Sequence, residues 1–491
     1  MLGEIEWRGS GLRARLDAVP RLLAPLAWPA GTAAAATTAG LLVGTGRARY
    51  AALPLAGAVA VLLARVPAAG YVAVLWSVGT AVDLLALPQV GLSTLQFAPA
   101  EILMWLVLAS IMFLRADVRR ALIGLASQRE SLLMAAFLAA VAGGVFVGVE
   151  NGATLHDAAY DARLMLFYAA FWPALAALAN PPDRALVLRL VSAGVIVVVI
   201  LQAAQVIVGS STRLFVIAAS DVASTLTPDE TGFLRVRPPG LTTVYVVAAF
   251  ALARVIWGPS ARRLGGWLMA GVALTGVILS LNRNMIVGLV LGLCVAALAA
   301  PQRRRFVVMA ATLGLALSAL ILASQGSALQ SDVVVSRVAT LANYSELRSE
   351  TLADRYYEND IALQRIRSHP IGGLGWGPPY GATLESSDAG FLVSQPRPFM
   401  HEQYLWIWMR AGLIGLVALV AMLVFAILNG TRWCRTRSET DGWLGAGVIV
   451  SVVALAASSN VAIYLTPPDS TVPLVGVLAL AAVMRRDLAR R

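Results

Sequence analysis

Runs of about twenty apolar residues recur along nearly the whole of this 491-residue chain, most of them separated by brief, arginine-bearing connections. A run of that length spans the hydrocarbon core of a bilayer when it is helical. The pattern therefore predicts an all-α fold, a polytopic integral membrane helix bundle. Composition agrees: 58% of residues are hydrophobic and 13% charged, where a soluble chain carries about a quarter charged.

Apolar run length marks about 14 candidate spans, so a bundle of about 12–14 spans is expected. They fall near 26–45, 51–66, 70–88, 97–114, 131–149, 163–180, 186–208, 240–257, 264–281, 284–300, 306–324, 403–428, 442–463 and 471–485. Two connections are long, 209–239 and 325–402. This divides the chain into N-terminal membrane helices (1–208), central helices with arginine-bearing turns (209–324), a loop (325–402) and C-terminal helices with a basic tail (403–491). The first residues mix acidic and basic groups without an apolar core and small-residue cleavage site, so no cleaved signal peptide is expected.

All 38 basic residues are arginines, against 27 acidic ones. The lack of lysine removes Schiff-base, P-loop and Ser–Lys chemistry. The basic excess does not call for nucleic acid, because cytoplasmic loops of membrane proteins are arginine-rich in any case. Two cysteines, Cys294 and Cys434, and three scattered histidines suggest neither a disulfide nor a metal site. Neither a cofactor nor a metal is expected.

Arginine placement predicts sidedness. Arg262 and Arg263, Arg303 to Arg305, the Arg432/Arg435/Arg437 cluster and Arg485/Arg486 fall in alternating connections that read together as cytoplasmic, as does the Arg115/Arg119/Arg120 loop. The segments 209–239 and 325–402 then lie outside; GRARY (46–50) does too, against the bias. The second becomes one large, partly helical extracytoplasmic loop. A multi-pass protein of the cell inner (cytoplasmic) membrane follows.

Four positions stand out on that outer face. Arg237-Pro238-Pro239-Gly240 opens a span where the prolines forbid regular helix and leave backbone amides beside a guanidinium. Arg283 sits in a nearly loopless hairpin between two apolar runs, flanked by Asn282 and Asn284. Arg355 belongs to a helix predicted over 345–368, where Leu352, Tyr356, Leu363 and Ile366 share a face; with Glu358 it reads as a local pair on a solvated surface. The glycine-rich turn that follows, including Gly373 and Gly375, permits close backbone approach to a ligand or another segment. His401, followed by Glu402, stands where the loop re-enters the membrane, a costly place for an ionisable group. Guanidinium forks bind phosphate oxygens, and an imidazole takes a proton from a hydroxyl near neutral pH. Three arginines and one histidine therefore suit a lipid-linked diphosphate donor: the arginines hold the departing diphosphate and His401 activates an acceptor hydroxyl, with no metal required.

These residues resemble the O-antigen ligase/O-antigen polymerase superfamily of bacterial envelope enzymes, best over 230–428. Arg237 to Gly240 is similar to the family's Arg-x-x-Gly at a span start, and Asn282-Arg283 to its Ser-Arg hairpin. Arg355 through Ile371-Gly372-Gly373-Leu374-Gly375 resembles its loop pattern. His401 and Leu405, followed by Ala411-Gly412-Leu413-Ile414-Gly415, are similar to its His-Asn-x-x-Leu and Gly-Leu-x-Gly signature. Glu402 stands where the family has asparagine, and Asn282 where it has serine. The resemblance implies a metal-independent glycosyltransferase, ligase or polymerase, acting at the extracytoplasmic face in polysaccharide biosynthesis of the cell envelope. Its donor would be an undecaprenyl-diphosphate-linked glycan and its acceptor a hydroxyl on a glycan or lipid. His401 would be the base, with Glu402 orienting or tuning it, and Arg237, Arg283 and Arg355 the diphosphate ligands. Gly373 and Gly375 would position the loop. A transporter or flippase for a lipid-linked or anionic substrate is the alternative, with Asp83 and Arg163 as its intramembrane charges.

Overall fold

A computed structural model describes residues 66–79, 90–92, 95–114, 128–209, 214–215, 226–228, 234–259, 263–280, 282–300, 350–379, 400–437 and 441–490. The expected spans at 26–45 and 306–324, and that at 51–66 except for its last residue, lie outside the described residues. The rest is an all-α membrane bundle. In chain order its helices are α1 (Pro67–Val78), α2 (Pro99–Leu114), α3 (Arg129–Glu150), α4 (Leu155–Ala162) and α5 (Phe171–Leu178), the last two joined by a 3-10 turn, Arg163–Ala170. Then come α6 (Pro181–Val208), α7 (Leu241–Trp257), α8 (Arg263–Leu279), α9 (Arg283–Ala299) and α10 (Glu350–Ser368). The C-terminal helices are α11 (Gln403–Thr436), α12 (Gly442–Ser458) and α13 (Pro468–Ala489). Two small antiparallel pairs, Val90–Leu92 with Leu95–Phe97 and Leu226–Pro228 with Leu234–Val236, lie in the connections.

Among the described residues, four stretches, Arg129–Glu150, Leu155–Leu178, Pro181–Val208 and Gln403–Thr436, are long and apolar enough to cross a bilayer. Local sequence explains several helix ends. Proline opens α1, α6 and α13, where a missing N–H costs nothing. The Thr154 hydroxyl caps α4 by accepting from the Asp157 amide. Glycines follow the last turns of α1, α6 and α7.

One continuous apolar core ties the helices before residue 208 to those after 403. In a bilayer the lipid is as apolar as the core, so close approach of helix backbones must supply the packing energy. The glycines do this. An added Cβ at Gly288 or Gly292 on α9 would press on the α12 backbone at Ala454 and Val450, and one at Gly430 on α11 would meet Gly445 of α12. Leaving them bare seats α12 between α9 and α11.

The two ends of the bundle differ in charge. The end holding the start of α3, the end of α11 and the end of α13 carries Arg129, Arg432, Arg435, Arg437, Arg485 and Arg486. The opposite end holds the starts of α7, α9, α11 and α13 and the end of α12.

Candidate active site

The site begins with a helix start. Glu402 is the N-cap of α11, and its Oε2 accepts from the Leu405 amide at 2.5 Å. Burial raises the Glu402 carboxyl pKa, opposed by the hydrogen bonds from the Leu405 and Tyr404 amides. His401 is thereby fixed immediately before a capped helix, with its side chain about a quarter exposed (28%). Its Nδ1 lies 2.9 Å from Oε2 of Glu358 on α10, and its backbone amide donates to the same oxygen at 3.4 Å.

Glu358 is 3% exposed. A carboxylate so buried costs several kcal/mol unless a donor or cation meets it, and His401 does so twice over. Glu358, expected on a solvated surface, instead makes a buried contact with His401, for a reason visible in the helix. Glu358, Ala362 and Ile366 recur every four residues and are all buried, so Glu358 continues the apolar stripe of α10. An acidic residue in line with such a stripe was the signal that could have found it. Arg355 lies three residues earlier on the same helix, nearly one turn away.

Hydrogen bonds carry this geometry across the bundle end. The Gln403 amide donates to the Ser459 carbonyl, and the Tyr404 hydroxyl donates to the Ala456 carbonyl, which fastens the α11 start to the α12 end. Ser458 Oγ donates to the Asn284 carbonyl and Tyr245 Oη to the Met285 carbonyl, which bring in the starts of α9 and α7. Arg283 is the first residue of α9, after Asn282 as N-cap. Asn282 Nδ2 donates to Tyr464 Oη at 2.5 Å. Tyr464 also acts electrostatically on Arg237. Arg237, the Asn282–Arg283 turn and the His401 start thus share one end of the bundle.

Arg237 is half-buried, and its Nε has no hydrogen-bond partner among the described residues. Burial pulls its pKa down, and the Tyr464 phenol acts in the other direction. A desolvated guanidinium with an idle donor has latent capacity for an anion.

The glycine-rich turn meets protein. Gly373, Gly375 and Gly377 have φ of 71°, 79° and 94°, which a side chain would strain. The Leu374 amide donates to the Met409 carbonyl at 2.6 Å, and the Trp376 amide to the Gly144 carbonyl at 3.0 Å. Trp376 is buried against α3, where an added Cβ at Gly148 would collide with its carbonyl oxygen. Gly412 (φ 71°, ψ 179°) breaks α11 beside the turn, and the Leu413 amide donates to the Ile371 carbonyl. Arg410, one residue missed in the sequence, fastens the assembly: Nη1 donates to the Gly375 and Pro378 carbonyls at 2.8 Å each, and its guanidinium lies 4.3 Å from the Trp406 ring centre. The turn that carries Gly373 and Gly375 is thus held between α3 and α11.

Of the intramembrane charges weighed for transport, Arg163 lies 3.6 Å from Glu101 and stacks on Tyr160. Asp83 lies outside the described residues.

Residues 264–420 match the family model described as O-antigen ligase. The matched stretch takes in Arg283, Arg355, Glu358, the glycine turn, His401 and Arg410, while Arg237 precedes it. No curated protein matches the chain. Within the all-α membrane architecture, the stretch 264–420 is thus similar to the O-antigen ligase/polymerase superfamily.

Proposed function

We propose that this protein transfers a glycan from a lipid-linked diphosphate donor, an undecaprenyl diphosphate in the family's manner, to a hydroxyl acceptor at the extracytoplasmic face. The observation that carries the reading is the buried Glu358 carboxylate 2.9 Å from His401 Nδ1, at the bundle end that also holds Arg237. With Nδ1–H donating to Glu358, the basic lone pair of the imidazole is on Nε2. Nε2 takes the proton as the acceptor oxygen forms its bond to the anomeric carbon. The bond from that carbon to the diphosphate oxygen breaks, and the diphosphate leaves with the electron pair. Glu358 stabilises the imidazolium formed, and the imidazolium later gives its proton to solvent.

The leaving diphosphate gains negative charge, which Arg237, Arg283 and Arg355 are the residues to hold. The starts of α7 and α9 add the positive ends of two helix dipoles on the same side. The arginine-rich end of the bundle belongs in the cytoplasm by the positive-inside rule, which puts His401 outside, in the cytoplasmic membrane of the cell. The acceptor is a glycan or lipid hydroxyl.

The test is transfer by His401→Ala in membranes supplied with a lipid-diphosphate glycan. Loss of a general base lowers the rate per folded molecule by roughly 10²–10⁴-fold. Transfer at the wild-type rate would overturn the mechanism.

A further inference from the structure

A second polar site lies at the end of the bundle away from His401. A cavity of about 460 Å³ opens there between the α3 start, α11 and the α13 end, lined by Arg129, Arg432 and Arg485 together with Phe425, Leu428 and Leu488. The buried Glu130 occupies Arg485, which donates to it at 3.0 and 3.3 Å, while Asn429 Nδ2 donates to it at 2.9 Å. Three guanidinia against one carboxylate leave the cavity cationic.

The faces leading to it identify the ligand. On α11, Leu413, Val417, Val420, Val424 and Leu428 form an exposed apolar stripe at helical spacing, and Arg432 is the next position on it, also exposed. On α3, Arg129 stands one turn before Leu132, on an exposed face that runs up to Phe146. In a membrane protein such stripes face acyl chains, so both arginines sit where the chains end and phosphates begin. We propose that this cavity binds the phosphate of an anionic glycerophospholipid, with its acyl chains laid along the α3 and α11 faces. Arg129 and Arg432 supply the contacts, and Arg485, anchored on Glu130, forms the floor. This site is independent of the transfer reaction and stands or falls apart from it.

The test titrates the full chain, in nonionic detergent, with phosphatidylglycerol and separately with phosphatidylcholine, counting bound lipid by native mass spectrometry. Saturable binding of phosphatidylglycerol alone is expected. Arg129→Gln/Arg432→Gln should weaken it about 30-fold, ~5-fold for each arginine, and Arg129→Lys/Arg432→Lys should keep most of it. Both exchanged residues are exposed, so the Glu130–Arg485–Asn429 contacts remain. Equal affinity for phosphatidylcholine overturns the proposal, and that comparison uses unmodified protein, so it does not depend on how the variants fold. Unchanged binding by the glutamine variant overturns it too, as does displacement of the lipid by inorganic phosphate, which would make free phosphate the ligand.

Discussion

The two ends of this bundle treat buried charge in opposite ways. At the arginine-rich end, Glu130 is met by both Arg485 and Asn429, and Asp487 by Arg184 and Arg486. There the buried Glu130 and the half-buried Asp487 are matched by cations and an amide, and the Glu130 contacts clamp α3, α11 and α13 together. At the other end the buried Glu358 meets a titratable partner, His401, and the Nε of the half-buried Arg237 has no hydrogen-bond partner among the described residues. Matched groups stabilise a fold; groups left with capacity bind and react.

That contrast predicts a division of effects. Glu358→Gln keeps an acceptor for His401 but removes the charge that stabilises an imidazolium. Transfer should drop about 100-fold, mostly in kcat, with melting little changed, as measured by single-turnover transfer and thermal unfolding. If melting collapses while transfer per folded molecule holds, Glu358 is a packing residue and the contrast breaks. A smaller effect is expected at Arg237. Arg237→Gln should raise the donor KM about tenfold at unchanged stability, since its Nε has no hydrogen-bond partner among the described residues. A destabilised variant with normal KM would mean that Arg237 belongs with the matched groups. The smallest effect is expected at the other end: Glu130→Gln should cost ~1–3 kcal/mol of stability and leave transfer by the folded protein at the wild-type rate. A loss of transfer there would show that the two ends are coupled.

Much of this was legible in the sequence. The spans predicted at 131–149, 240–257 and 284–300 became Arg129–Glu150, Leu241–Trp257 and Arg283–Ala299, because apolar run length is the quantity a bilayer selects. The hairpin at Arg283 and the helix ending before Pro370 were likewise readable from prolines, asparagines and periodicity. The span at 163–180 was drawn too short. A helix capped by Thr154 precedes it and a 3-10 turn interrupts it, and a hydropathy window blurs both.

The site divides along the same line. By itself the sequence determined the membrane helices, the unusual position of His401 and the arginines in the connections, because length, hydropathy and charge bias act locally and leave their marks along the chain. Only the tertiary structure decided what these residues meet. It put Glu358, expected on a solvated surface, in buried contact with a histidine 43 residues away. It gave the glycine turn a protein partner in the Gly144/Gly148 face of α3, and it revealed Arg410 as the clamp between turn and helix. Such contacts depend on which helices stand side by side, a choice made by close backbone packing among many similar apolar faces, and no single run of sequence carries it.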